Sequence, residues 1–264
     1  MNKITLFSIQ LLLLALITQL GMSQSTEGYY MHIDYINVEK NDIPEFENHI
    51  SNILKPVQES RISDDVIAEW YVYKVAYPGT QDPSYNYVFV SLSDDLEDFD
   101  DSNEQIIDRM SELTGSDETN EFQKWLIPYR SELWRINNSV LTENDSRASK
   151  YFVMDYMDVQ LGMEYTYQMM EDEVALPIHR HRMDIDQMNG WELFSLIVPG
   201  GTEYGYNFAT GNYFSDLRHF EFGFTEEIIR QSHPDTDINE INETFAETRD
   251  LVRSEVWELI DHVR

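Results

Sequence analysis

Slid along itself by 121 positions, the chain aligns with itself without a gap: Tyr30, Asp34, Tyr35 and Val38 fall on Tyr151, Asp155, Tyr156 and Val159. The register continues through Pro56, Arg61 and Asp65 on Pro177, Arg182 and Asp186, then Trp70 on Trp191, Pro78-Gly79 on Pro199-Gly200, and Tyr85-Asn86 on Tyr206-Asn207. Asp95, Leu96 and Phe99 complete it on Asp216, Leu217 and Phe220, giving fifteen identities in the 71 positions 29–99. Chance does not hold Trp, Pro and Gly in one register over such a length. Near the ends Arg130-Ser131-Glu132-Leu133-Trp134 matches Arg253-Ser254-Glu255-Val256-Trp257 at an offset of 123, an insertion of two residues. A repeat this long means two units of one architecture. The expected organisation is a first module over 24–140, a polar linker over 141–150 (LTENDSRASK) and a second module over 151–264.

Residues 1–23 form a separate piece. Lys3 is followed by the apolar run Leu11 to Ile17 and then by Gly21 and Ser23, the layout of a secretory signal peptide cleaved after Ser23. The polar residues Thr5, Ser8, Gln10, Thr18 and Gln19 dilute the stretch, and no cation follows until Lys40, so a membrane anchor is the lesser alternative. The expected location is periplasmic or secreted, with no membrane span after cleavage. With no cysteine in the chain, thiol nucleophiles and cysteine-ligated metals are excluded. A formal charge of −31 opposes binding to nucleic acid, which needs clustered Lys and Arg.

Within one unit, residues 30–38 are aromatic and β-branched with no breaker and read as a strand, apolar on both faces. Asp42 is a candidate cap for a helix carrying Phe46, Ile50, Ile53, Leu54 and Val57, whose counterpart runs from Met163 to Arg182. Pro56 and Pro177 should kink or restart these helices. Strands follow at 70–77 and 85–91, then helix-compatible acidic segments at 94–113 and 118–131, and the Arg-Ser-Glu-x-Trp segment closes each unit as a strand or a helix end.

The order strand, helix, strand, strand, helix, strand is ferredoxin-like. A ferredoxin-like sheet that is apolar on both faces needs a second sheet, and the tandem copy supplies it. In this the chain resembles the dimeric α+β-barrel superfamily, which includes antibiotic-biosynthesis monooxygenases, stress-responsive barrel proteins and haem-degrading or haem-dependent barrel enzymes. The expected fold is therefore α+β, two tandem ferredoxin-like modules packed sheet to sheet as an intramolecular α+β barrel. The resemblance also implies a cavity between sheet and helices in each module, holding a small hydrophobic or aromatic ligand; the partner expected of the whole chain is a small organic ligand, anionic or aromatic. No motif requires a cofactor or a metal.

The residues matched in both units are the natural cavity lining: Asp34 and Asp155, Trp70 and Trp191, Tyr85 with Asn86, and Tyr206 with Asn207. Trp, Pro and Gly kept twice also suit packing alone. His32 shares a strand face with Asp34 and could form an acid–base pair, although the second unit has Val153 at that place. The second unit departs in its own way through His179-Arg180-His181-Arg182, a positive island suited to a carboxylate, sulfate or phosphate. Equally, cations near a helix C-terminus are simply stabilising. Of the acidic runs 94–104 and 235–247, the second begins like a calcium loop but fails, because Glu240 and Ala246 stand where a glycine and a bidentate glutamate belong, and a solvated acidic helix face is the better reading. The leading reading is an exported binder of a small ligand. The alternatives are a cofactor-independent oxygenase, isomerase or lyase, a haem-binding barrel enzyme using one of these histidines, and a non-catalytic partner-binding protein.

Overall fold

The computed structural model describes residues 28–80, 83–100, 103–115, 119–120, 122–142 and 146–264. The proposed signal peptide, residues 1–23, lies outside them. Eight strands alternate with helical segments. In chain order they are β1 (Tyr30–Ile36), α1 (Ile43–His49), α2 (Lys55–Ser63), β2 (Glu69–Ala76), β3 (Tyr87–Ser93), α3 (Asn103–Thr114) and β4 (Arg130–Leu141). The second half runs β5 (Tyr151–Val159), α4 (Glu164–Met170), α5 (Leu176–Asp184), β6 (Gly190–Val198), β7 (Phe208–Phe214), α6 (Glu226–Ser232), α7 (Ile238–Thr248) and β8 (Arg249–Val263).

The strands close into one antiparallel barrel in the order β1-β3-β2-β8-β5-β7-β6-β4. The two four-stranded halves do not simply stack, as a sheet-to-sheet packing would have them. They join edge to edge, because β4 and β8 are long enough to leave their own halves: β4 pairs with β1 and with β6, and β8 with β5 and with β2. Closure leaves none of these eight strands with a free edge. The Arg-Ser-Glu-x-Trp segments lie in these two strands, which settles their alternative reading.

Alternation in the strands divides the side chains between two cores. Met31, Ile33 and Tyr35 of β1 and Phe152, Met154 and Tyr156 of β5 point into the barrel. The interior is aromatic and filled: the void beside Arg147, Glu192 and Tyr213 is only about 10 Å³, no more than one water needs. Its two buried glutamates are paired. Glu132 accepts hydrogen bonds from Tyr35 (2.7 Å), Trp134 Nε1 (3.0 Å), Tyr204 and Tyr206. Glu192 is held by Arg147 at 2.6 Å and by Tyr213 at 2.6 Å. Arg147 belongs to the 141–150 stretch, so that connection anchors the barrel through a buried ion pair rather than only spanning a gap. Residues 143–145 of it lie outside the described residues.

The opposite faces of the same strands meet the helices. Each leading helix is interrupted by a π-helical turn, Ile50–Leu54 in the first half and Glu171–Ala175 in the second. The prolines are the cause. Pro56 and Pro177 have no amide hydrogen and crowd the preceding turn, so Lys55 N–H and Leu176 N–H reach back five residues, to the carbonyls of Ile50 and Glu171. The helices thus restart, as their prolines predict. Asp42 precedes α1, but its side chain makes no capping bond, and only its carbonyl serves the helix, through Phe46 N–H. The 118–131 segment carries a 3-10 turn at Gln123–Trp125 and enters β4 at Arg130. The EF-hand-like run lies largely in α7, capped by Asp237, as a solvated helix face.

Candidate functional site

Each half has a cavity between the outer barrel face and its helices, and the two are lined from equivalent positions. His32, Asp34, Gln58, Arg61, Trp70, Phe89 and Ser91 in the first match Val153, Asp155, His179, Arg182, Trp191, Thr210 and Asn212 in the second. Their sizes differ greatly. The first holds about 80 Å³ and the second about 390 Å³, within the range of small-molecule sites.

Side-chain bulk explains part of the difference. Leu54 and Phe89 occupy the first cavity where the second half has Ala175 and Thr210. Two further exchanges change the chemistry. Ile50, fully buried in the first half, is replaced at the matching position by Glu171, and Leu126 by Arg249; both replacements line the larger cavity.

In that cavity Asp155 projects from β5 and is held on both oxygens, by the Ser254 hydroxyl and by Asn212 Nδ2 at 3.1 Å. Burial raises its pKa, against the pull of those hydrogen bonds and of Arg249 and Arg182. Glu171, on the π-helical turn, is only 3% exposed. Burial pushes its carboxyl up to about 7; Tyr167 and Arg249 lower it, while Asp155 and Asp172 add to the rise.

His179 and Arg182 follow one turn apart on α5, so they share the inward face. The imidazole lies nearly parallel to Trp191 (centroids 5.1 Å apart, 19° between planes) and is flanked by Phe224 at 5.1 Å. Arg182 Nη1 sits 3.4 Å from His179 Nδ1, which fixes that nitrogen as the acceptor. Burial and the Arg182 charge hold the histidine well below its ordinary pKa, so it is neutral near pH 7. Arg182 Nη2 donates to the Phe222 carbonyl at 2.6 Å. Burial lowers the guanidinium only to about 10, so it stays charged at neutral pH. Among the described residues neither Arg182 nor Arg249 has a carboxylate within ion-pair distance. The Nε atoms of both arginines and Trp191 Nε1 are buried donors without an acceptor.

The structure therefore brings together Asp155, His179, Arg182 and Trp191 of the residues singled out from sequence. Arg180 points to solvent and His181 lies off the cavity, because a helix turns successive residues by about 100°. For the same reason the two histidines cannot ligate one ion. His32 and Asp34 share a face, Nε2 to Oδ1 3.5 Å, and line the small cavity with Trp70. Tyr85 and Tyr206 turn toward the barrel interior instead. Asn86 and Asn207 are clamps: each amide accepts from and donates to the backbone of one residue, Val38 in the first half and Val159 in the second. Glu171 and Arg249 were not reached from the sequence, although comparison of aligned positions that differ between the halves points to both. Among the described residues no three His, Asp or Glu side chains converge as a metal site.

No protein-family model matches the sequence, and no curated protein resembles it significantly. Solved structures do share its shape. A Lactobacillus acidophilus protein provisionally titled a monooxygenase superimposes with a TM-score of 0.51 at 8% identity, covering 90% of this chain and 96% of its own. A haem-binding protein from Thermus thermophilus gives 0.48 at 10% identity, covering 90% and 93%. A chlorite dismutase variant from Candidatus Nitrospira defluvii gives 0.48 at 8%, covering 89% and 91%. The chain's own closed eight-stranded barrel, flanked by helices, is an α+β-barrel fold, and the Lactobacillus structure shares its overall shape. At such identities the likeness defines the fold and not an activity.

Proposed function

We propose that this protein binds a small organic anion with an aromatic or otherwise apolar body in the cavity of its second half. One observation carries the reading: in a chain of net charge −31, two arginines line a largely apolar cavity, and among the described residues neither has a carboxylate within ion-pair distance. A charge withdrawn from water is costly unless paired, and a ligand carboxylate is the partner that both guanidiniums and Trp191 Nε1 lack. Phe220, Phe222 and Phe224 suit the ligand's body. The architecture is read as a tandem duplication of one ferredoxin-like module, in which the first cavity is narrowed to about 80 Å³ and keeps a packing role. Export through residues 1–23 belongs to the same proposal, and a mature N-terminus at Gln24 is its check.

Calorimetric titration with phenylacetate, phenylpyruvate and their amides tests the binding. The acids should bind and the amides should not, with Arg182→Gln and Arg249→Gln each weakening the acid at least about 10-fold, as loss of a charge-assisted hydrogen bond implies. Equal affinity for acid and amide would overturn it.

Haem, named for one structural neighbour, suits these residues poorly. His179 is enclosed between Trp191 and Phe224, and a guanidinium lies against its Nδ1, where a metal-bound imidazole ordinarily donates to a carboxylate or carbonyl. His32 opens on a cavity of only about 80 Å³.

A further inference from the structure

We propose that the second-half cavity is catalytic, Glu171 removing and returning a proton next to the carbonyl of a bound aromatic 2-oxo acid, so that the protein interconverts its keto and enol forms without a cofactor. The inference rests on the anion-binding reading. Its own starting point is that Glu171 is not needed for packing. The same register position in the first half is Ile50, fully buried in an apolar core, so the helix and its π-helical turn form equally well around an aliphatic side chain. Burying a carboxyl where an isoleucine fits costs stability. Arg249, at the position of Leu126, lines the same cavity. Two apolar positions have thus become an acid and a base facing one space.

The two cavity carboxyls are not equivalent. Asp155 has one oxygen engaged by Ser254 and the other by Asn212, which orients it and leaves it little freedom to reach a ligand. Glu171 has the Tyr167 hydroxyl beside it, with Asp172 on its own turn, Asp155 on β5 and Arg249 on β8 as the other charges acting on it. A pair of carboxyls in contrasting environments is the arrangement that separates a proton-transfer group from an electrostatic one. Burial poises Glu171 at about 7, where a carboxylate is an effective general base and its conjugate acid can return the proton.

The step is balanced within the site. The C3–H bond of the oxo acid breaks and an O–H bond forms on Glu171. The electron pair moves through the new C2–C3 double bond onto the carbonyl oxygen, where unpartnered donors of Arg182, Arg249 or Trp191 can meet the charge. The proton then returns to oxygen, giving the enol, or to carbon. No oxidant or reductant enters.

Phenylpyruvate in deuterated buffer is the probe, its C3–H exchange followed by proton NMR and its affinity by calorimetry on the same samples. The wild-type protein should accelerate exchange above the buffer rate, with a rate that rises with pH around a midpoint near 7. Glu171→Gln should lower the protein-dependent rate at least about 100-fold and leave affinity within about threefold, and Glu171→Asp should restore part of the rate. Binding without accelerated exchange, or exchange by Glu171→Gln at the wild-type rate, would overturn the catalytic inference and leave the binding reading standing. Absence of binding would instead remove the binding reading, and the inference with it.

Discussion

Glu171 is the residue at which chemistry and stability pull apart. Its folded-state carboxyl is raised to about 7 from an ordinary value of 4.5. Below pH 4.5 the group is neutral whether the chain is folded or not, and its burial carries no charge penalty. As the pH climbs from 4.5 to 7, the unfolded chain releases this proton and the folded one does not, so folding stability falls across that window and levels off above it. The shift corresponds to about 3 kcal/mol. In urea titrations Glu171→Gln, whose amide cannot ionise, should therefore gain stability over the wild type by about that amount between pH 4.5 and 7.5, with little difference at pH 4. The remaining acidic residues are common to both proteins, so the difference between the two curves isolates this group. Parallel curves would mean that the carboxyl is hydrated or paired.

Between elements, the two cavities differ because β7 and the leading helix of the second half carry smaller side chains on their facing surfaces. Thr210 of β7 is 5% exposed and lines the large cavity where Phe89 of β3 fills the small one. Thr210→Phe should close the second cavity as its counterpart closes the first, weakening phenylacetate binding at least 10-fold and raising stability by about 0.5–2 kcal/mol. Unaltered affinity in calorimetry would place the ligand elsewhere. The same comparison shows what could be read from the chain alone. The strands and broken helices were legible because β-branched and aromatic runs, prolines and the repeat all act locally. Part of the site was legible too: Asp155, His179, Arg182 and Trp191 stood out, and all but His179 are identical across the halves. Identity, however, also selects residues kept for the fold, which is why Asn86 and Asn207 proved to be clamps and Tyr85 and Tyr206 interior. The distinguishing groups Glu171 and Arg249 sit where the halves differ, and nothing local marks them as lining a cavity. Only the folded second half, with β8 laid beside β5, brings Arg249 into the same cavity as the turn that carries Glu171.

At the scale of the whole molecule, closure is made by two equivalent seams. Trp134 of β4 pairs with Leu196 of β6, and Trp257 of β8 pairs with Val75 of β2. Trp134 aligns with Trp257 and Val75 with Leu196, so both seams use one pattern of pairing. Tyr35 and Tyr156, another aligned pair, meet hydroxyl to hydroxyl at 2.8 Å inside the barrel. Each half alone would expose two strand edges and an aromatic face, a surface that demands a partner. A fragment of residues 146–264 carries one member of each seam, β8 and β6, and retains Arg147 to pair with Glu192. Two copies can therefore rebuild eight strands, β8 of each against β6 of the other. Size-exclusion chromatography with light scattering should find this fragment as a dimer, with the cavity of the second half present twice and two equivalents of phenylacetate bound per dimer. A folded monomeric fragment would show that each half satisfies its own edges, and that the equivalence of the seams is not what holds the barrel closed.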